Sequence, residues 1–138
     1  MKLFIIVVAL FVANFSLYAE FKQQTYRDSS GRVQGTATTN GNHTTYRDSS
    51  GRITGSSTTN GNITTYRDSS GRITGTKTVN GSHSTYRDGS GRIVGNSSQI
   101  GNQTIYRDGS GRIEQTETHN SHGSTYRDSS GRITGTKR

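Results

Sequence analysis

The sequence predicts an all-β repeat protein, and three observations lead to that prediction. Aligning the chain on its recurring tyrosines gives a strict period of 20 residues, and periods of that size are typical of repeat architectures. Two turn signals, Asp-Ser-Ser-Gly and Asn-Gly, alternate along the chain. The segments between them are rich in Thr and Ile, which favour strands. We expect a β-solenoid or stacked β-hairpins with 20-residue repeats, and a hairpin meander is the competing arrangement.

The first 19 residues differ in composition from the rest and predict a signal peptide. Lys2 supplies a short positive region, residues 3–17 are almost entirely apolar, and Ala19 provides a small residue at the cleavage point. This apolar run is shorter than the roughly 20 residues of a membrane span. We therefore expect a secreted or periplasmic protein with no stable membrane span after cleavage. Residues 20–24 would lead into six tandem repeats in 25–138, the last of them partial.

The chain after residue 19 lacks Leu, Met, Trp, Cys and Pro, so it cannot build a conventional globular core or a disulfide framework. Disordered chains are usually rich in Pro, Glu and Lys, whereas Thr, Ile, Gly and Asn dominate here. β-Structure is therefore favoured over disorder. The predicted repeat core is a ladder of one tyrosine and one aliphatic residue from each unit: Tyr26, Tyr46, Tyr66, Tyr86, Tyr106 and Tyr126, with Val33, Ile53, Ile73, Ile93, Ile113 and Ile133.

Each repeat reads as strand, turn, strand, turn. In the first turn, Asp28 and its counterparts can accept hydrogen bonds from the backbone amides that follow, while Gly31 and its counterparts can adopt a positive φ. In the second turn, pairs such as Asn60-Gly61 suit a type I′ turn. The fourth and fifth units carry Ile100-Gly101 and Asn120-Ser121 instead, so this second turn is less constrained.

Strict alternation of side chains would bury Lys77 on the same face as Ile73. Its counterparts in the other repeats form a mixture that we expect of an exposed position: Ala37, Ser57, Ser97, Glu117 and Lys137. We infer a bulge at the preceding glycine, which would turn Thr76 and Thr78 inward and Lys77 outward. The positions concerned are Gly35, Gly55, Gly75 and Gly95, and Gln115 in the fifth unit tests the inference.

The segment Asp48-Ser49-Ser50-Gly51-Arg52-Ile53 resembles the YD repeat of Rhs-type bacterial proteins. The motif of that family carries an Asp, two variable residues, Gly, Arg and an aliphatic residue, and its repeats build long β-sheet shells around a cargo. In overall plan, a signal peptide followed by polar strand-turn-strand repeats also looks like curli-type secreted amyloid subunits. The second resemblance implies self-assembly.

Every repeat carries two arginines and one aspartate around its first turn. One interpretation is structural, with Asp capping the turn while one Arg pairs with an Asp of a neighbouring repeat. The other is a repeated guanidinium array for phosphate, sulfate or carboxylate groups, which suit the planar fork of Arg. The candidate anion-binding residues are Arg27, Arg32, Arg47, Arg52, Arg67, Arg72, Arg87, Arg92, Arg107, Arg112, Arg127 and Arg132.

Catalysis requires single groups held in one geometry, whereas the Ser and Asp residues here belong to turns repeated six times. We therefore expect no enzyme and no cofactor. We also expect no metal site, because His43 and His83 lie 40 residues apart while His119 and His122 form only a partial ligand set. Our leading hypothesis is an exported structural protein that self-associates through uncapped repeat ends into extracellular or cell-surface fibres. The alternative is a basic module that binds an anionic glycan, lipopolysaccharide or nucleic acid.

Overall fold

The computed structural model describes residues 21–138, so the expected signal peptide lies outside the described residues. All regular structure in this part is β, in 12 strands. The strands are β1 Lys22–Asp28, β2 Val33–Asn40, β3 His43–Asp48, β4 Ile53–Asn60, β5 Ile63–Asp68, β6 Ile73–Asn80, β7 His83–Asp88, β8 Ile93–Ile100, β9 Gln103–Asp108, β10 Ile113–Asn120, β11 Gly123–Asp128 and β12 Ile133–Lys137. No segment within 21–138 is a helix long and apolar enough to cross a membrane.

Each strand pairs antiparallel with its sequence neighbours, and β1 also pairs with β12, which closes the sheet into a barrel. The all-β prediction is confirmed, but the solenoid is wrong. In a solenoid each strand would pair with its counterpart one repeat later, whereas here tight turns reverse the chain and pair consecutive strands. The hairpin meander therefore describes the strand order. Closure pairs the two strands that would otherwise be sheet edges.

The tyrosines face the barrel interior, as predicted, but the aliphatic residues do not. Four tyrosines are buried, at positions 46, 66, 86 and 126, and Tyr26 and Tyr106 are half-buried. The predicted aliphatic half of the core is wrong, because these side chains lie on the outer wall with 37% to 49% of their surface exposed. These outer residues are Val33, Ile53, Ile73, Ile93, Ile113 and Ile133.

The predicted bulges are present, but they act in the opposite sense. Between β5 and β6, Tyr66 lies opposite Gly75 and the next residue, Arg67, lies opposite Ile73, so one extra residue sits in β6. Ile73 therefore shares the outer face with Arg67, and after the bulge Lys77 points inward and is 4% exposed. The predictions that Lys77 is exposed and that Thr76 and Thr78 face inward are wrong, because they took Ile73 to be a core residue.

The glycine at the bulge permits close approach of the neighbouring strand. A Cβ atom added at Gly75 would collide with the carbonyl oxygen of Arg87. In the fifth unit the bulge persists with Gln115 in the glycine position, so the bulge itself does not require glycine. Glycine is needed at the equivalent position of the other repeats because the facing carbonyl oxygen leaves no room for a Cβ atom.

The two turn types lie at opposite ends of the barrel. In the first, Gly31 and its counterparts have a positive φ near 80°, as predicted. In the second, Gly61 has a φ of 59° and no non-glycine residue in 21–138 has a positive φ. The type I′ assignment is therefore wrong, because Asn60 pairs with Ile63 and leaves glycine as the first central residue, which suits a type II′ turn.

Candidate anion-binding site

All six Asp-x-Ser-Gly-Arg turns lie at one end of the barrel, because each joins an odd-numbered strand to the even-numbered strand that follows. We call this end the arginine end. It is formed by the turns over 28–32, 48–52, 68–72, 88–92, 108–112 and 128–132. Around the barrel, a motif that is scattered along the sequence becomes a closed ring. The repeated arginines therefore lie around one end of the barrel.

The aspartate of each turn is occupied by its own backbone. The Oδ1 atom of Asp48 accepts hydrogen bonds from the amides of Ser50 and Arg52 at 2.9 and 3.0 Å. The same pair of bonds recurs in all six turns at 2.8 to 3.0 Å. In Asp108, the hydroxyl of Ser110 and the amide of Arg112 lower the carboxyl pKa to about 2. The carboxylate thus stabilises the turn as the sequence predicted.

The first arginine of each repeat also has a structural role. The Nη1 atom of Arg47 donates to the carbonyl oxygen of Gly51 at 2.9 Å, and the equivalent bond spans 2.9 to 3.2 Å in the other repeats. This bond holds the guanidinium over the turn, and Arg47 itself remains exposed. The predicted pairing with an aspartate of a neighbouring repeat does not occur in the described residues.

The second arginine of each repeat lies in the turn itself and is exposed. Arg112 donates from Nε to Asp108 at 3.2 Å, although its side chain remains 83% exposed. For the other five turn arginines, no side-chain hydrogen bond or ion pair occurs within residues 21–138. These five are Arg32, Arg52, Arg72, Arg92 and Arg132. Their guanidinium groups are therefore available to an external anion.

Charge is unevenly distributed between the two ends. The arginine end carries 12 arginines against six aspartates and Glu114. The opposite end is formed by turns such as Asn40-Gly41-Asn42 and carries exposed polar residues, including His43 and His83. A ring of guanidinium groups with a net positive charge raises the local concentration of anions and steers them to this end.

The interior contains a second charged group that the sequence analysis missed. Glu117 is 2% exposed and accepts hydrogen bonds from Tyr106 at 2.7 Å, Tyr126 at 3.0 Å and the Nζ atom of Lys137 at 2.9 Å. His119 Nδ1 lies 3.6 Å from the same carboxylate. Burial alone would raise the pKa of Glu117, but Lys137 and the donated hydrogen bonds hold it below its usual range.

Lys77 lies at the same level of the barrel as Glu117, on another strand. Burial lowers the pKa of Lys77 to about 8, although the charge of Glu117 opposes that effect. Its Nζ atom lies 5.8 Å from the centre of the Tyr86 ring. The sequence analysis interprets the variability of the Lys77 position among the six repeats as a sign of an exposed side chain. At this interior position three repeats carry neutral residues, and the other three carry Lys77, Glu117 and Lys137, whose charges partly compensate one another.

The structure does not assemble the histidines into a metal site. Within the part of the chain that it describes, no three His, Cys, Asp or Glu side chains lie close enough to hold a metal ion. The tyrosines face the interior and offer no binding surface on the outer wall. The arginine end therefore remains the candidate site.

Comparisons with known proteins do not identify a relative. No family model matches the chain, and no curated protein or solved structure shows significant similarity to it.

Proposed function

We propose that this protein is an exported binding module whose arginine end attaches it to a polyanion bearing phosphate or sulfate groups. The observation that carries the proposal is the separation of roles within each turn. Backbone amides occupy the aspartate, while the turn arginine is exposed and, in five of six repeats, contacts no acid within the described residues. The charge of the turn arginine lowers the pKa of the aspartate in its own turn, as Arg52 does for Asp48, but its guanidinium group remains exposed.

The ring arrangement adds multivalency. Each turn presents one guanidinium fork that can engage an oxyanion with two parallel hydrogen bonds. Because six such turns recur around one end, a polymer or surface with many anionic groups can engage several of them together. A monovalent anion would gain only one weak contact.

Fibre formation remains a prediction with less support from this fold. It relied on uncapped repeat ends, and the pairing of β1 with β12 leaves no unpaired strand edge in residues 21–138. Assembly through strand pairing would first require the barrel to open. We therefore favour the binding module.

The experiment is a titration of residues 20–138 with inorganic polyphosphate at several salt concentrations. The wild-type protein should bind at low salt, and log K should fall linearly with log salt concentration, because counterions are released. The test variant replaces Arg52, Arg72 and Arg92 by Gln and should bind at least tenfold more weakly with a shallower salt slope.

A control variant lowers the net charge by the same three units, by adding acidic side chains at the opposite end. It combines Asn80→Asp, Ser82→Asp and Gln103→Glu, all at exposed positions. If the control loses as much affinity as the arginine variant, binding depends on net charge and the arginine end is not the site. If the wild-type protein does not bind polyphosphate at low salt, the proposed function is wrong.

A further inference from the structure

The outer wall next to the arginine end carries an unexpected apolar belt. We define the apolar belt as the first residue of each even-numbered strand, which follows directly after the turn arginine. Its members are Val33, Ile53, Ile73, Ile93, Ile113 and Ile133. All six are large aliphatic side chains that point away from the core, with 37% to 49% of their surface exposed.

Each member of the belt lies beside an arginine on the same face. Arg47 lies directly opposite Ile53 between β3 and β4, and Arg67 lies opposite Ile73 between β5 and β6. The same pairing recurs between Arg27 and Val33, Arg87 and Ile93, Arg107 and Ile113, and Arg127 and Ile133. Apolar and cationic groups therefore alternate around the whole circumference.

The belt is close to the end of the barrel. Ile53 follows Arg52 directly, so about one strand residue, roughly 3.3 Å, separates the apolar side chain from the turn. Of the other large exposed apolar residues, Val94 lies beside the belt, whereas Phe21, Ile63 and Ile100 lie at the opposite end. The arginine end thus combines its positive charge with a ring of six exposed aliphatic side chains.

We propose that the arginine end docks on a phospholipid bilayer with anionic headgroups. This inference rests on the proposed function and specifies its partner. The turn arginines complement lipid phosphates, while the apolar belt enters the boundary between headgroups and acyl chains. Arginine side chains place their aliphatic stems along apolar surface and keep the charged group among the headgroups. A soluble polyanion would use the arginines but would leave the belt in water.

The test compares vesicles of phosphatidylglycerol and phosphatidylcholine with vesicles of phosphatidylcholine alone. Wild-type residues 20–138 should sediment with the anionic vesicles and not with the neutral ones. A variant with Ile53→Ser, Ile73→Ser and Ile93→Ser keeps every arginine. It should bind anionic vesicles at least about tenfold more weakly, because three partly inserted side chains are lost, and it should bind polyphosphate like the wild type.

A matched control makes similar changes at the opposite end. Ile63→Ser combined with Ile100→Ser removes two exposed apolar side chains there and should leave vesicle binding unchanged. Circular dichroism of each variant would show that its β-structure is retained. The chain contains no Trp, so Ile73→Trp also provides a specific fluorescence reporter. Its emission should shift to the blue with anionic vesicles and should be quenched by brominated acyl chains.

Three results would overturn the inference. If the serine variant in the belt binds anionic vesicles as tightly as the wild type, the belt does not enter the bilayer. If the protein binds polyphosphate but not anionic vesicles, the partner is a soluble polyanion and the proposed function survives. If it binds neither, the proposed function fails together with this inference.

Discussion

Glu117 is the acidic residue on which the electrostatics of the barrel interior depend. It is 2% exposed and accepts a hydrogen bond from Lys137 at 2.9 Å and two more from tyrosines on the neighbouring strands. Lys77 and Lys137 both lie within reach of its charge. Because one carboxylate balances two interior lysines, its removal would leave buried positive charge without compensation.

Glu117→Ala is therefore expected to destabilise the protein by about 3 to 5 kcal/mol, the usual cost of removing one partner of a buried ion pair. Urea denaturation followed by circular dichroism would measure the change. Glu114→Ala is the control, since Glu114 is exposed at the arginine end and its loss should change stability by less than about 0.5 kcal/mol. Equal effects of the two substitutions would contradict the assigned role of Glu117.

The interior also predicts an unusual dependence of stability on alkaline pH. Burial lowers the pKa of Lys77 to about 8 from 10.5, so between these values the unfolded chain binds more protons than the folded one. Stability should then rise with pH from about 8 to about 9, by on the order of 1 kcal/mol. Above about pH 9 it should fall, because burial raises the pKa of all six repeat tyrosines, to about 12 for Tyr86, and only the unfolded chain ionises there.

Urea denaturation at a series of pH values would test this prediction. Lys77→Met should remove the rise and should increase stability at pH 7, because the cost of burying a charge is absent. Lys22→Met is the matched control, since Lys22 is exposed and its replacement should leave the pH profile unchanged. Wild-type and Lys77→Met profiles that fall in parallel above pH 8, with no rise in the wild-type profile, would contradict a buried Lys77.

At the scale of the strand, a glycine near the start of an even-numbered strand determines how closely the next strand approaches. An example is Gly75, which lies two residues before Lys77. Gly75 faces the backbone of Arg87, and a Cβ atom there would meet the carbonyl oxygen of that residue. Gly35, Gly55 and Gly95 make equivalent contacts with Arg47, Arg67 and Arg107. The contact is between two backbones, so no side-chain rotation can relieve it.

Gly75→Ala should consequently destabilise the barrel by about 1 to 3 kcal/mol, as expected for overpacking. Thermal denaturation would measure this effect. Gln115→Ala is the control, because the fifth unit already accommodates a Cβ atom at the equivalent position. If Gly75→Ala costs no more than Gln115→Ala, close approach is not the reason for the glycine.

The turns and strands could be predicted because their causes are local. An aspartate followed by a glycine three residues later specifies the first turn, and the observed bonds to Asp48 are those expected from the sequence alone. The direction of the side chains could not be predicted in the same way. Hydrophobicity suggested that Ile73 faces inward, but the bulge before Gly75 places it outside and turns Lys77 inward.

At the scale of the whole molecule, closure depends on how many hairpins are needed before the last one meets the first. No local signal encodes that number. Here the sixth hairpin returns to β1, and the seam is the shorter pairing, with three residue pairs between β1 and β12 against six between β1 and β2. Closure also creates the arginine end, because it arranges six equivalent turns in one ring.

The resemblances to Rhs-type and curli-type repeats remain predictions, as does self-assembly. Opening of the barrel at its short seam would expose two strand edges, and this is the route by which assembly could occur. The candidate site is only partly visible in the sequence. Its arginines were identified there, but their concentration at one end and the adjacent apolar belt depend on the closed barrel.

The most direct test of the account is an NMR titration of nitrogen-15-labelled residues 20–138 with tripolyphosphate at low salt. Glycine amides report on both ends, since Gly51 and Gly71 lie in turns of the arginine end while Gly61 and Gly81 lie in turns of the opposite end. We predict saturable shifts at Gly51, Gly71 and their counterparts, reversed by high salt, with little change at Gly61 and Gly81. Shifts of equal size at both ends, or confined to Gly61 and Gly81, would contradict the account.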